Sequence, residues 1–435
     1  MKYYCIGIKG AGMSTLAQIL HDLGHDVSGY DDAMKYKFTQ KGLEERNIPI
    51  YYDGLHSIDQ DTIVTYSVAF SNDHPEIKRV KDLNLKVKKY NEIIGDIIDL
   101  FCSIGISGTH GKTTTSSIVK HIISSVEECS YFIGAGDGYV NSKNNYFVVE
   151  SDEFNRHFTA YKPVYSIITN IEEEHLECYK DIEDIRNTFE IFANQTKRLV
   201  VANGDNEQIL KMNFKVPVKY YGFNEENDIC IKNMQLTDSG SSFDLFIDGK
   251  FYNSFDLPFY GEHMVTNAAA AIGLANELGI DKDIIKKSLG SFKNAKRRFA
   301  EEFFDDIVII DDYAHHPTEI KVTLNAVRQK YPLKRLVAVF KPNTYSRTRD
   351  FTNEFVDALS IADKVYLTEI DSNREKQDDY PNVTSSLILD KIGDSEIIDE
   401  ESIDKLRKET DAVICFMSCA SIESLISAYK DIIKK

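Results

Sequence analysis

The chain has 435 residues, 51 Lys and Arg against 69 Asp and Glu, and a net charge of −18; that length is too great for one ordinary core and sets an expectation of two to four domains. The acid excess argues against nucleic acid as the main partner, because phosphate backbones are met by basic surfaces, and no apolar run reaches the ~18 residues of a membrane span. Seven scattered cysteines with no C-x-x-C, and an N-terminus that runs straight into a strand without a signal pattern, point to a cytoplasmic protein with reduced thiols.

Lys2 to Ile8 reads as a strand, Gly10-Ala11-Gly12 as a tight loop and Met13 to Leu23 as a helix; Asp26 to Tyr30 reads as the next strand, ending in Asp31-Asp32. This pattern opens a doubly wound nucleotide-binding domain, where a diphosphate sits on the helix N-terminus and Asp31 can meet a ribose. Read from Gly10, the dinucleotide fingerprint puts Thr15 at its third glycine. Further strand and helix patterns, among them Thr62 to Ser67, Lys86 to Lys89 and a helix from Glu92 to Leu100, give one small α/β domain over residues 1–101.

The stretch Ser103 to Thr114, ending Gly108-Thr109-His110-Gly111-Lys112-Thr113-Thr114, reads as strand, glycine loop and then a helix from Thr114 to Ser125. That order makes a phosphate cradle: glycines let N–H groups turn toward an anion, and the helix points its positive end at the same place. Lys112 can reach outer phosphates and Thr113 can hold Mg²⁺. Two strands then end in polar residues, Tyr146 to Val149 in Glu150-Ser151-Asp152-Glu153 and Val164 to Thr169 in a run reaching His175. Carboxyl ends of parallel strands form the ligand crevice, so Glu153 and His175 read as metal ligands, and Glu172 and Glu173 as a solvated acidic run.

From Ile229 to Phe255 the apolar period becomes two, with turns at Asp238-Ser239-Gly240 and Asp248-Gly249, as in a small antiparallel insertion. His263 and Asn267, four apart at the start of an alanine-rich helix, either cap it or face a base. After a polar linker at 291–294, strands and helices alternate again, the pattern of a third domain with a parallel sheet. Arginines at its strand ends suit carboxylates or phosphates. Of the adjacent pair His315-His316, one residue is expected to meet a ligand and the other to hold structure.

These motifs together resemble the Mur ligases, over essentially the full length and in the same order. The carriers are Gly7-Ile8-Lys9-Gly10-Ala11-Gly12-Met13-Ser14, Gly108 to Thr113, Thr169-Asn170-Ile171 through His175, Lys296-Arg297-Arg298-Phe299, and Asp311-Asp312-Tyr313-Ala314-His315-His316-Pro317-Thr318-Glu319. The last is closest to the members that add L-alanine. The resemblance implies an α/β protein of three domains: a Rossmann-like UDP-sugar domain (1–101), a central P-loop ATPase-type parallel sheet with a small antiparallel insertion (102–294), and a Rossmann-like amino-acid domain (295–435). It implies that the carboxylate of UDP-N-acetylmuramate is phosphorylated by ATP with Mg²⁺, and that the acyl phosphate is then attacked by L-alanine in peptidoglycan precursor synthesis. A monomer or homodimer is expected.

Residue by residue, the resemblance implies ATP on Gly108, Thr109, His110, Gly111, Lys112, Thr113, Thr114, Asn267, Arg298 and Asp312. Metal falls to Thr113, Glu153 and His175, and catalysis to Lys112, Glu153 and His175. UDP falls to Gly10, Ala11, Gly12 and Asp31, and alanine to Tyr313, His315 and Arg347. Met264 stands where many members have Asn, Asn343-Thr344 replaces a common His-Arg, and Ser418-Cys419-Ala420-Ser421 replaces a Gly-Ala-Gly-Asp turn. The alternatives are a sibling ligase adding a peptide, a folate-type polyglutamylating ligase, a catalytically silent UDP-sugar-binding regulator and, most distantly, a dehydrogenase.

Overall fold

A computed structural model of the chain describes residues 1–67, 69–134, 136–372 and 375–434, and among these the strands form three sheets. By contacts the chain divides into two units, one of residues 1–232, 245–253 and 267–289, the other of 233–244, 254–266 and 290 onward.

In the first unit, a five-stranded parallel sheet has the order Ile50–Tyr51, Asp26–Tyr30, Lys2–Ile6, Thr62–Tyr66, Lys86–Val87. Parallel strands are covered on both faces, which accounts for the continuous run Tyr4-Cys5-Ile6 being buried. The helix Ala11–Asp22 covers one face with Leu16, Ile19 and Leu20. Ile77 and Val80 of the helix Pro75–Asp82 pack with Tyr4 and Val64 on the other. The first helix starts two residues earlier than its expected start at Met13. Gly10 is extended (φ −66, ψ 144) and is its N-cap, so Ala11 and Gly12 lie in the first turn and not in a loop.

The central sheet runs Asp137–Tyr139, Ser130–Ile133, Tyr146–Glu150, Cys102–Ser107, Tyr165–Ile168, Leu199–Asn203, Val218–Gly222, and then the ribbon Ile229–Thr237, Gly240–Ile247, Lys250–Leu257. Asp248 and Gly249 both have positive φ, as a two-residue hairpin turn requires. Strand Cys102–Ser107 lies between two parallel neighbours, with Ile106 opposite Glu150 and Ser107 opposite Ile168. The segments that follow these three strand ends therefore emerge side by side. The helix after the glycine loop begins at Lys112, earlier than the expected Thr114, because Gly111 is left-handed (φ 82) and caps it. One apolar core joins the first two sheets, from Leu16 and Ile19 through Phe132 and Phe158 to Phe189 and Phe192.

The second unit carries a sheet ordered Ala300–Phe304, Ile307–Asp312, Ala412–Met417, Arg335–Phe340, Lys364–Leu367, Ser395–Ile397. Helices Pro317–Lys330 and Thr352–Leu359 cover one face, and Glu423–Ile433 packs on the other. The sheet is mixed, where a parallel one was expected, because Ala300–Phe304 pairs antiparallel with Ile307–Asp312. Asp305, at φ 47, turns the chain between them, and the charged Glu301-Glu302 pair hid this edge strand from an apolar pattern.

Gly29 sits opposite Cys5 in the first sheet, and a Cβ there would lie 2.3 Å from the Cys5 carbonyl oxygen and 2.8 Å from Ile8 Cβ. Gly29→Ala is expected to destabilise the first unit by about 2 kcal/mol through overpacking. Gly290, in the helix Lys282–Ser291, has nothing within 4 Å of its Cβ position, so Gly290→Ala is expected to stabilise by up to about 1 kcal/mol. Urea denaturation followed by circular dichroism checks both signs.

Candidate active site

The loop 108–111 is held by the end of the neighbouring strand. Asn170 accepts from His110 N through Oδ1 at 2.8 Å, donates through Nδ2 to the His110 carbonyl at 3.0 Å, and accepts from Thr109 N at its own carbonyl at 3.0 Å. Thr169 Oγ1 donates to the same His110 carbonyl at 2.6 Å. Gly108 (φ 150) permits this closeness: a Cβ would fall 1.9 Å from Thr169 Oγ1. A Cβ on Gly111 would fall 3.0 Å from Asn267 Oδ1, so Asn267 lies against the loop. The first-turn N–H groups of Lys112, Thr113 and Thr114 have no intrahelical acceptor and face forward from a helix N-terminus.

Lys112 Nζ donates to the carbonyls of Gly108 (2.6 Å) and Thr109 (3.0 Å) and to Glu153 Oε1 (2.8 Å). Burial opposes its charge, but Glu153, Asp152 and Glu150 outweigh burial and hold the ammonium above its ordinary range. Burial also pushes the Glu153 and Glu150 carboxyls up, against the pull of Lys112. Glu150 accepts from Thr113 Oγ1 at 3.1 Å and from Gly134 N at 2.7 Å. His175, left-handed at φ 56, lies 3.7 Å from Glu153 Oε1. Burial lowers its pKa, but Glu177, Glu174 and Glu153 outweigh burial and raise it. Tyr179 donates to the Glu153 carbonyl at 2.5 Å.

Among the described residues, buried Glu153 Oε2 has no hydrogen-bond partner. A hard divalent cation takes carboxylate and hydroxyl oxygens; the orphaned Glu153 oxygen, with His175 3.7 Å from that carboxylate, and the Thr113–Glu150 pair are donors of the kind Mg²⁺ takes. Glu150, Asn170 and Tyr179 were not among the expected site residues. The signal for Glu150 was its place at the end of a strand adjoining the glycine-loop strand.

In the N-terminal part of the same unit, Gly10 to Gly12 form the turn into the first helix. Asp31 is buried, and its carboxylate accepts from Lys9 N at 2.9 Å and Ala33 N at 3.0 Å. It thus shapes the loop, and the same carboxylate is the one expected to meet a ribose. Lys9, 1% exposed, extends its amine to the carbonyls of Ala33 (2.5 Å) and Lys35 (2.8 Å).

In the second unit, Arg298 lies 5.0 Å from the Tyr313 ring, and the Tyr313 and His315 rings are 5.6 Å apart. Asp312, expected to contact ATP, is buried and accepts from Phe299 N (2.8 Å), Ala314 N (2.9 Å) and Thr323 Oγ1 (3.3 Å). These bonds occupy it in the turn that presents Tyr313. His316 caps the helix Pro317–Lys330 by accepting from Thr318 N, and His315 Nδ1 lies 2.9 Å from Glu319. His263 is pushed down to about 4 by burial and then by Arg298, so it is neutral. Arg347 lies on the helix Tyr345–Asp350, after a strand separated from Ile307–Asp312 by Ala412–Met417. The turn at Ser418 is tied in place, accepting from Arg297 at its carbonyl (2.7 Å) and donating from Oγ to the Lys341 carbonyl (3.0 Å).

Residues 2–102 match the Mur ligase family catalytic domain, 106–275 the Mur ligase middle domain, and 297–419 the Mur ligase glutamate ligase domain. Among solved structures, the chain is similar to the UDP-N-acetylmuramate-alanine ligase of Thermotoga maritima, at 25% identity over 100% of this chain and 98% of that one, with a TM-score of 0.81. The fold is shared with a murein peptide ligase of Psychrobacter arcticus (20% identity, 100% and 98% covered, TM-score 0.69). It is also shared with the MurF ligase of Thermotoga maritima in complex with ADP (18%, 94% and 95% covered, TM-score 0.67).

Lys112→Met strands the buried Glu153 carboxylate and is expected to cost about 3 kcal/mol near neutral pH. Because burial raises the Glu153 pKa, the loss shrinks as pH falls through that value and the orphaned carboxylate takes a proton. Adding Glu153→Gln should recover part of the loss at neutral pH; thermal unfolding midpoints across pH check both statements.

Proposed function

The chain belongs to the Mur ligase family and is an ATP-dependent carbon–nitrogen ligase, and on that premise we propose that it joins L-alanine to the carboxylate of UDP-N-acetylmuramate in peptidoglycan precursor synthesis. The observation that carries the chemistry is the Lys112 ammonium, buried beside Glu153 at the mouth of a helix N-terminus. The choice of alanine is supported by the full-length similarity to the alanine-adding enzyme of Thermotoga maritima and by the Tyr313-Ala314-His315-His316-Pro317 run.

A carboxylate is a poor electrophile. Its oxygen attacks the γ-phosphorus of ATP, the bond to the β-phosphate oxygen breaks, and ADP leaves an acyl phosphate. The alanine amine then attacks the acyl carbon, loses a proton, and phosphate departs. Little covalent chemistry falls to the protein in such transfers; positioning and charge neutralisation do most of the work. The first-turn N–H groups of Lys112 to Thr114 receive phosphate oxygens, and Lys112, held poised by two carbonyls and Glu153, follows the transferring group. Thr113, Glu150, Glu153 and His175 would hold Mg²⁺, which when bound neutralises charge on the phosphates. In the second unit Arg347 offers a bidentate partner to the alanine carboxylate. We assign the UDP moiety to the N–H groups of the Gly10–Gly12 turn.

The test is phosphate release from ATP and Mg²⁺ with UDP-N-acetylmuramate, with and without each amino acid. Release dependent on both the sugar and L-alanine is the expected result. Release with a different amino acid or a peptide overturns the alanine assignment, and binding of the sugar with no release in any mixture overturns the ligation reading.

A further inference from the structure

We propose that Tyr90 is a substrate-positioning residue whose phenol donates a hydrogen bond to the diphosphate of the UDP-sugar on the first helix. The inference rests on the assignment of the UDP moiety to the Gly10–Gly12 turn and adds a residue from outside that loop. Tyr90 opens the helix Tyr90–Ile98, and Glu92 accepts from Lys89 N to fix that start. A Cβ on Gly12 would lie 2.7 Å from the Tyr90 hydroxyl oxygen. The phenol therefore rests on the first turn of the helix Ala11–Asp22, where unpaired N–H groups favour an anion. Glycine at position 12 is explained by this approach.

The ring is held from the other side by the central sheet, edge to face with Phe132 at 6.5 Å and tilted against His157 at 6.2 Å. Asn91 Nδ2 donates to the His157 carbonyl at 3.0 Å, and a Cβ on Gly95 would fall 2.7 Å from the Ala160 carbonyl oxygen. The helix is thus seated on Phe154–Ala160, the segment that directly follows Glu153. Among the described residues the Tyr90 hydroxyl donates no hydrogen bond within the protein. Tyr90 is half-buried, so this donor is open to a ligand lying on the first turn. Burial, and after it Asp152, pushes the phenol pKa up, so the group stays a donor across the working range and suits an acceptor-only diphosphate.

The geometry gives Tyr90 a second consequence. It touches the UDP turn while its helix rests on the chain leaving Glu153, so it sits between the two ends of a substrate whose diphosphate and reacting carboxylate must be placed together. Tyr90→Phe keeps the ring and removes only the donor. The expected result is a roughly tenfold rise in Kd for UDP by calorimetry and in KM for the UDP-sugar, with KM for ATP and the unfolding midpoint unchanged. Tyr90→Leu should weaken UDP binding at least as much while also lowering the midpoint. A Tyr90→Phe variant that binds UDP like the parent overturns the proposal, as does one that loses UDP and ATP affinity equally with a lowered midpoint. Failure of the parent protein to bind UDP overturns the assignment of the turn itself, a result distinct from either.

Discussion

A buried ammonium organises the first unit's site. Lys112 cannot leave its charge unanswered in a packed interior, and its partners come from two separate stretches: its own loop carbonyls, and the end of the neighbouring strand, where Glu153 meets it directly and Asp152 and Glu150 act through space. Each must be at the same height along the sheet for the charge to be met. The parallel register of Cys102–Ser107 with both neighbours supplies that height, which is why the sheet is a precondition of the site.

The same logic explains the density of backbone hydrogen bonds around the loop. Asn170 and Thr169 occupy the His110 carbonyl and the amides of Thr109 and His110, leaving the next amides, at the helix start, as the free donors. Two positive-φ glycines make room for this, and side chains stand where their Cβ atoms would be. The shared core between the first two sheets then fixes the Gly10–Gly12 turn relative to the phosphate loop, because Phe132 and Phe158 belong to the same apolar cluster as Leu16 and Ile19.

Much of this was readable from residue order. Strand–glycine–helix patterns at 2–23 and 103–125 carry their own physics, and their alternation foretells parallel sheets. The strand-end positions of Glu153 and His175 follow from that alone. Other features were hidden because they depend on partners distant in sequence. Nothing in Asp31 or Asp312 reveals that its carboxylate also holds local amides in place, because those amides take their positions only in the folded turn. Glu150 was passed over in favour of Glu153, since only the fold shows Thr113 and Gly134 meeting it. The edge strand Ala300–Phe304 lacked an apolar signature because one hairpin partner suffices to place it.

Lys9 fixes a segment distant from it in sequence. Its amide, amine and carbonyl each engage the segment 31–39, through Asp31, the carbonyls of Ala33 and Lys35, and the Thr39 hydroxyl. That segment is therefore ordered before any ligand arrives, and the entropy of arranging it belongs to folding and not to the encounter. For any ligand that meets it the shelf is preformed, so differences among such ligands would be expressed in how long each stays. The exposed side chains it carries, Met34, Tyr36 and Phe38, can be exchanged while the backbone beneath them remains as Lys9 set it.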